Sequence, residues 1–112
     1  DFWGCHEGTH LIGVIGLEGY GAVALLRSLA VAPAWQGRGL GAALLAHAER
    51  AARPRGVSAL YLLTTTADGF FPRFGFAPHP RASAPAAIAA SREFASACPA
   101  AATCLALSLV AP

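Results

Sequence analysis

A mixed α/β domain is the architecture this sequence predicts, and three observations predict it. Apolar stretches in the first 31 residues are interrupted by glycine turns. One amphipathic helical run follows at 40 to about 53, and a run rich in leucine and aromatic character follows it at 57–64. Short strands joined by tight turns pair antiparallel. A strand–helix–strand unit pairs in parallel by a right-handed crossover. The expectation is an antiparallel meander, then the crossover, then C-terminal strands, all in one domain over 1–112.

Residues 2–5 alternate weakly and read as a first strand, and Glu7-Gly8-Thr9-His10 reads as a turn. Residues 11–17 are apolar on both faces with two glycines, which suits a buried strand. Gly19-Tyr20-Gly21 turns the chain into a third strand over 24–31, ended by Pro33. Leu40, Leu44, Leu45, Ala48 and Ala52 then recur at helical spacing, with Glu49 and Arg53 as an i,i+4 pair outside, and Pro54 and Gly56 stop the helix. The strand over 57–64 is centred on Leu60-Tyr61-Leu62-Leu63. Asp68 is placed to cap a short helix to Phe74 that Pro72 should bend and Gly75 should stop. A short strand over 76–79, a helix over 85–97 and a last strand over 104–110 complete the order β-β-β-α-β-α-β-α-β.

Composition narrows the function classes. Apolar residues make up 55%, but 27 of the 112 residues are alanine, so the core is smaller than that figure implies. The net charge is +2, and the eight basic residues, all arginine, are scattered, which does not suit nucleic acid. No apolar run approaches the ~18–20 residues of a membrane span, and no leader pattern is visible, so a cytoplasmic protein is expected. Cys5, Cys98 and Cys104 make no C-x-x-C pair. They fit a reduced interior, with Cys98 and Cys104 as small buried hydrophobes, and no metal site is expected. His6, His10, His47 and His79 are scattered and read as surface or packing residues.

The chemistry concentrates at Gln36-Gly37-Arg38-Gly39-Leu40-Gly41, between a predicted strand and a predicted helix. Glycines there let the backbone approach an anion closely. The first N–H groups of a helix lack intrahelical acceptors and can point at a phosphate. Arg38 is a helper to that backbone or a solvated loop charge.

With Leu29-Ala30-Val31-Ala32-Pro33 before it, Gln36-x-x-Gly39-x-Gly41 resembles the phosphate signature of the Gcn5-related N-acetyltransferases (GNAT), and Phe70-Phe71-x-x-x-Gly75-Phe76 resembles their second-half motif. Leu62-Leu63-Thr64-Thr65-Thr66 with Pro85 and Cys98-Pro99 is similar to the branch acting on amino acids: the acetyltransferase domain of N-acetylglutamate synthase and, most of all, the N-acetyltransferases of arsenic-resistance operons. The resemblance spans about residues 2–110. It implies a GNAT-like fold and acetyl-coenzyme A as cosubstrate, with its pyrophosphate in the loop and its pantetheine arm on the backbone of Leu29, Ala30 and Val31. It also implies a small-molecule amine as acceptor and a homodimer.

Three departures accompany it. Phe71 stands where the family often has a tyrosine that protonates the leaving thiolate. Leu25 stands where many members carry a glutamate base. The strand and helices that wall the family's acceptor site would precede Phe2, so an N-terminally truncated domain is expected. Glu18, at the end of the second predicted strand, is then either the base that frees the amine or a solvated turn residue. Ser28 is placed to relay a proton or orient a water. Arg27 either grips a substrate carboxylate in a two-pronged fashion or points outward from the strand. Thr65 lines the cofactor cleft or caps the next helix, and Phe71 lies at the cofactor. Phe70, Phe74 and Phe76 are assigned to the core. The leading expectation is acetyl transfer to an amino acid or analogue; the other is an acyl-CoA-binding sensor without turnover.

Overall fold

The computed structural model describes residues 1–65, 69–97 and 102–110. Strands β1 (Phe2–Glu7), β2 (His10–Tyr20) and β3 (Val23–Val31) form the antiparallel meander. Helix α1 (Leu40–Ala52) carries the chain over to β4 (Ala59–Thr64), which pairs parallel with β3. A 3-10 turn over Phe71–Phe74, strand β5 (Ala77–Pro78), helix α2 (Ala86–Ala89) and strand β6 (Thr103–Ser108) come next. The sheet order is β1-β2-β3-β4-β6-β5.

Both faces of the sheet are covered, so its central strands are apolar on both sides. On one face α1 buries Leu44, Leu45, Ala48 and Ala52 against Ile15, Leu17, Ala24, Leu26, Leu60 and Leu62. Gly13 lets the helix lie close, because a Cβ there would meet Leu44 at 2.9 Å. On the other face Ile88 and Phe94 cover Leu25, Tyr61, Leu63 and Cys104.

The pairing of β2 with β3 contains one irregularity. Val14 faces Ala30 and Gly16 faces Arg27, so Ile15 opposes two residues of β3, Ser28 and Leu29. This is a β-bulge, and Ser28 sits in it at φ 60°. The extra residue shifts the side-chain alternation by one. Ala24 and Leu26 face α1 before the bulge, and Leu29 and Val31 pack on that same cluster after it.

Several expectations are corrected. The single helix over 85–97 is broken: α2 ends at Ala89, and a π-helical turn spans Glu93–Ala97. The cause is buried Ser91, whose hydroxyl donates to the Ile88 carbonyl (2.6 Å) and accepts from the Phe94 N–H (3.4 Å) in place of a continuous helical ladder. The helix ending at Phe74 is reduced to the 3-10 turn, as Pro72 requires, and Gly75 stops it at φ 95°. The strand over 76–79 holds two residues. That over 57–64 begins at Ala59, because the N–H groups of Val57 and Ser58 go to Ala52 and Ala22. Asp68, Thr66, Cys98 and Pro99 lie outside the described residues.

Candidate active site

The parallel ladder between β3 and β4 is three residues long, from Val23 opposite Ala59 to Leu25 opposite Tyr61. Beyond it β4 stays with β6 as far as Thr64, while the bulged end of β3 stays with β2. The strands part, and a cleft of about 170 Å³ opens between Arg27, Ser28 and Leu29 on one side and Leu62, Leu63 and Thr64 on the other, with Phe71 in its wall. The open side of β3 keeps unpaired backbone groups. Ala32 donates to Ile12 across the meander. By strand alternation the N–H and C=O of Val31 therefore face away from β2. The Gln36 amide donates to the Val31 carbonyl at 3.1 Å, which ties the loop to the strand, while the Val31 N–H on the same edge has no partner among the described residues.

At the far end of that edge lies the glycine loop. Gly37 and Gly39 hold φ 78° and 83°, and Gly39 caps the N-terminus of α1 in the left-handed region. A non-glycine residue there costs about 1–2 kcal/mol. No acidic side chain stands in the first turn of α1, so its N–H groups and dipole are left for an exogenous anion. Gly37, Gly39, Leu40 and Gly41 line a cavity of about 230 Å³. A third cavity, about 460 Å³, is bordered by Leu29, Ala30 and Val31 on the strand and Gln36, Gly41 and Phe70 at the loop. It shares Leu29 with the cleft and Val31, Gln36, Gly41 and Phe70 with the loop cavity, so the three adjoin in a row, a channel in outline, from Arg27 to the helix N-terminus.

The Arg27 end is built from side chains on the other face of the sheet. Arg27 Nη1 donates to Glu18 Oε1 at 2.5 Å, and Tyr20 Oη donates to Glu18 Oε2 at 3.0 Å. The Arg27 hydrogen bond holds the Glu18 carboxyl below its ordinary value of 4.5. Burial lifts the Tyr20 hydroxyl above its own. Arg27 Nε is buried and has no hydrogen-bond partner among the described residues. A buried N–H without an acceptor is unfavourable, and Nε with Nη2 forms the guanidinium edge that suits a carboxylate fork. Gly16 makes space for this side chain, since a Cβ there would meet Arg27 at 3.1 Å. Glu93 faces the same group from the π-helical turn, and burial raises its carboxyl above the ordinary value.

Most of the sequence candidates therefore meet in one channel, and a few do not. Leu25 is fully buried under Ile88 and Phe94, away from the cleft, whereas Phe71 lines the cleft at 6% exposure; neither side chain carries a proton to give. Arg38 lies over the Trp35 ring at 4.9 Å and is not in the cavity wall. Thr65 is exposed beyond β4 and is not among the described residues that line the cavities; the residues that follow it, on which a capping role depends, lie outside the described ones. Phe70 and Phe74, read as core, are half-buried and line the loop cavity. A Cβ on Gly41 would meet Phe70 at 3.2 Å, so the small residue in the loop and the aromatic across it fit as a pair. Trp35, Tyr20, Glu93 and Arg73 were missed; of these, Arg73 lay in the spacer of the Phe71-x-x-x-Gly75 motif. Among the described residues no group of three or more His, Cys, Asp or Glu could hold a metal ion, and no helix is long and apolar enough to cross a membrane.

The acetyltransferase (GNAT) domain family matches residues 1–78. No curated protein sequence matches the chain. Among solved structures, N-acetylglutamate synthase from Neisseria gonorrhoeae, complexed with coenzyme A and N-acetyl-glutamate, is 26% identical with a TM-score of 0.86. The match covers 98% of this chain and 26% of that one, so the chain spans about a quarter of the synthase. Tetrahymena Gcn5 (18% identity, TM-score 0.78; 97% of this chain and 67% of that one) shares the fold. So does the ribosomal-protein-S18-alanine N-acetyltransferase from Escherichia coli (21%, 0.73; 99% and 70%).

Proposed function

The chain belongs to the GNAT acetyltransferase domain family, and from that premise we propose that it transfers the acetyl group of acetyl-coenzyme A to the amine of an amino acid or a close analogue. The observation that carries the reading is the row of adjoining cavities from Arg27 to the N-terminus of α1. The loop N–H groups take the pyrophosphate. The pantetheine arm lies along Leu29, Ala30 and Val31 as an added strand, accepting from the Val31 N–H. The thioester then reaches the bulge, where a backbone N–H of Leu29 or Val31 polarises its carbonyl as charge develops on oxygen.

At the acceptor end, Arg27, which lines the cleft and keeps part of its side chain exposed, binds the substrate carboxylate with its guanidinium. Glu18, ionised and engaged through both oxygens, aims that guanidinium. Its lowered pKa makes it a weak base, so the amine's proton leaves by a water held at Ser28, which lines the cleft and is exposed. With phenylalanine at 71 the thiolate takes its proton from water too. The lack of an acidic hydroxyl at that position favours a second reading, an acyl-CoA-binding module without turnover.

A thiol-release assay with acetyl-CoA and a panel of amino acids, run beside calorimetry with CoA, separates the two. Acetylation of at least one amino acid, with micromolar CoA binding, is the expected result. CoA binding without turnover on any amine would establish the second reading. No CoA binding would sink both.

A further inference from the structure

We infer that Arg73 reads the ribose 3′-phosphate of coenzyme A, so that the chain distinguishes the coenzyme from its dephospho form; the inference rests on the donor reading above. Coenzyme A carries a pyrophosphate and one further phosphate on its ribose. The loop and the first turn of α1 supply backbone donors for the first. The second calls for a side-chain cation, and Arg38, in the loop itself, lies over the Trp35 ring and is not among the described residues that line the cavity.

Arg73 stands in that wall, on the 3-10 turn facing the loop. Its guanidinium carbon lies 5.8 Å from the Phe70 ring centre and 5.5 Å from that of Phe74. Contact with two aromatic rings limits its rotamers without using its N–H donors on a carboxylate, and a guanidinium held in this way can fork onto a phosphate. Arg27, Arg53 and Arg55 all have carboxylate partners, but Arg73 has none among the described residues. It is an exposed cation in the wall of the loop cavity, with no carboxylate paired to it among the described residues. The arm enters from the Leu29–Val31 side, so the adenosine end is the part of the ligand left to meet the opposite wall, where Arg73 is.

Calorimetry with CoA and with 3′-dephospho-CoA, on wild type and on Arg73→Ala, tests the assignment. Wild type is expected to bind CoA about tenfold tighter than dephospho-CoA, a contrast of the size that one charge-assisted fork supplies. Arg73→Ala is expected to lose that preference by weakening CoA alone. Equal weakening of both ligands would overturn the inference, since Arg73 would then serve the pyrophosphate or the fold. A preference that survives in Arg73→Ala would overturn it as well. Arg73→Lys, which keeps the charge but not the fork, is expected to fall between the two. Wild type binding neither ligand would remove the donor reading itself, a failure visible before any variant is made.

Discussion

The two ends of the channel are made of different material. At the loop end most of the groups open to a ligand are main-chain N–H groups, held by glycines at positive φ and by a Gln36 side chain that ties the loop to Val31. At the cleft end they are side chains: Arg27, aimed by Glu18, which is itself held by Tyr20. A backbone site depends on the path of the chain and tolerates many side chains. A side-chain site depends on which face each residue takes, and here a single inserted residue at Ser28–Leu29 decides that. The loop end is thus fixed by conformation and the cleft end by register, and under the proposed function the two should respond to different substitutions.

The largest effect is expected at the loop. Gly39→Glu combines a left-handed backbone strain of about 1–2 kcal/mol with a carboxylate where the pyrophosphate belongs. CoA affinity measured by calorimetry should fall about a hundredfold or more. Retained affinity would mean that the backbone end is not the phosphate site.

Arg27→Ala should leave that end alone. Losing a forked charge-assisted contact of about 1.5–3 kcal/mol should raise KM for the amino acid acceptor ten- to a hundredfold, with KM for acetyl-CoA nearly unchanged. Equal rises in both constants would erase the distinction between the ends.

The bulge gives a smaller effect and a sharper one. Ser28→Gly accommodates φ 60° without strain, so the fold and CoA binding should persist while kcat drops severalfold as the water loses its hydroxyl. Ser28→Val, branched at Cβ in a left-handed position, should lower stability by about 1–2 kcal/mol, read from urea unfolding. An unchanged kcat in the glycine variant would reduce Ser28 to a backbone role.

The smallest effect is electrostatic. The folded-state pKa of Glu18 lies below 4.5, so the stability it contributes is full above that value and fades as pH falls through the folded pKa. Both partners are about one-third exposed, which keeps the contribution small. Glu18→Gln should flatten the decline of the urea midpoint below pH 4.5, and an identical acid limb would show that the pair carries no folding stability.

The difference between the ends also explains what the sequence made legible. Gly39 and Gly41, with the leucine spacing of α1, announce a phosphate loop because glycine and periodicity act locally. The meander and the crossover come from the same local signals. The bulge has no such mark: Leu25-Leu26-Arg27-Ser28-Leu29 reads as unbroken strand, and only pairing with Ile15 reveals the extra residue. Arg27 has two readings in the sequence for that reason. The break in the helix over 85–97 was hidden likewise, since Ser91 acts only once buried with its hydroxyl turned onto Ile88. Phe70 and Phe74 were assigned to the core by their hydrophobicity, and their place beside the loop depends on the 3-10 turn that Pro72 enforces.

The three-residue ladder between β3 and β4 has a thermodynamic corollary. Among the described residues it is the only pairing of sheet backbone that joins the meander to the β4-β6-β5 half. A ligand arm bonded to the open edge of β3 would extend that seam and behave as a removable part of the fold. Binding then adds RT ln(1 + [L]/Kd) to the unfolding free energy, about 2.7 kcal/mol at a hundredfold excess over Kd. The melting temperature of this chain would report the acyl-donor concentration around it, and amide exchange along residues 26–31 would slow as the seam closes.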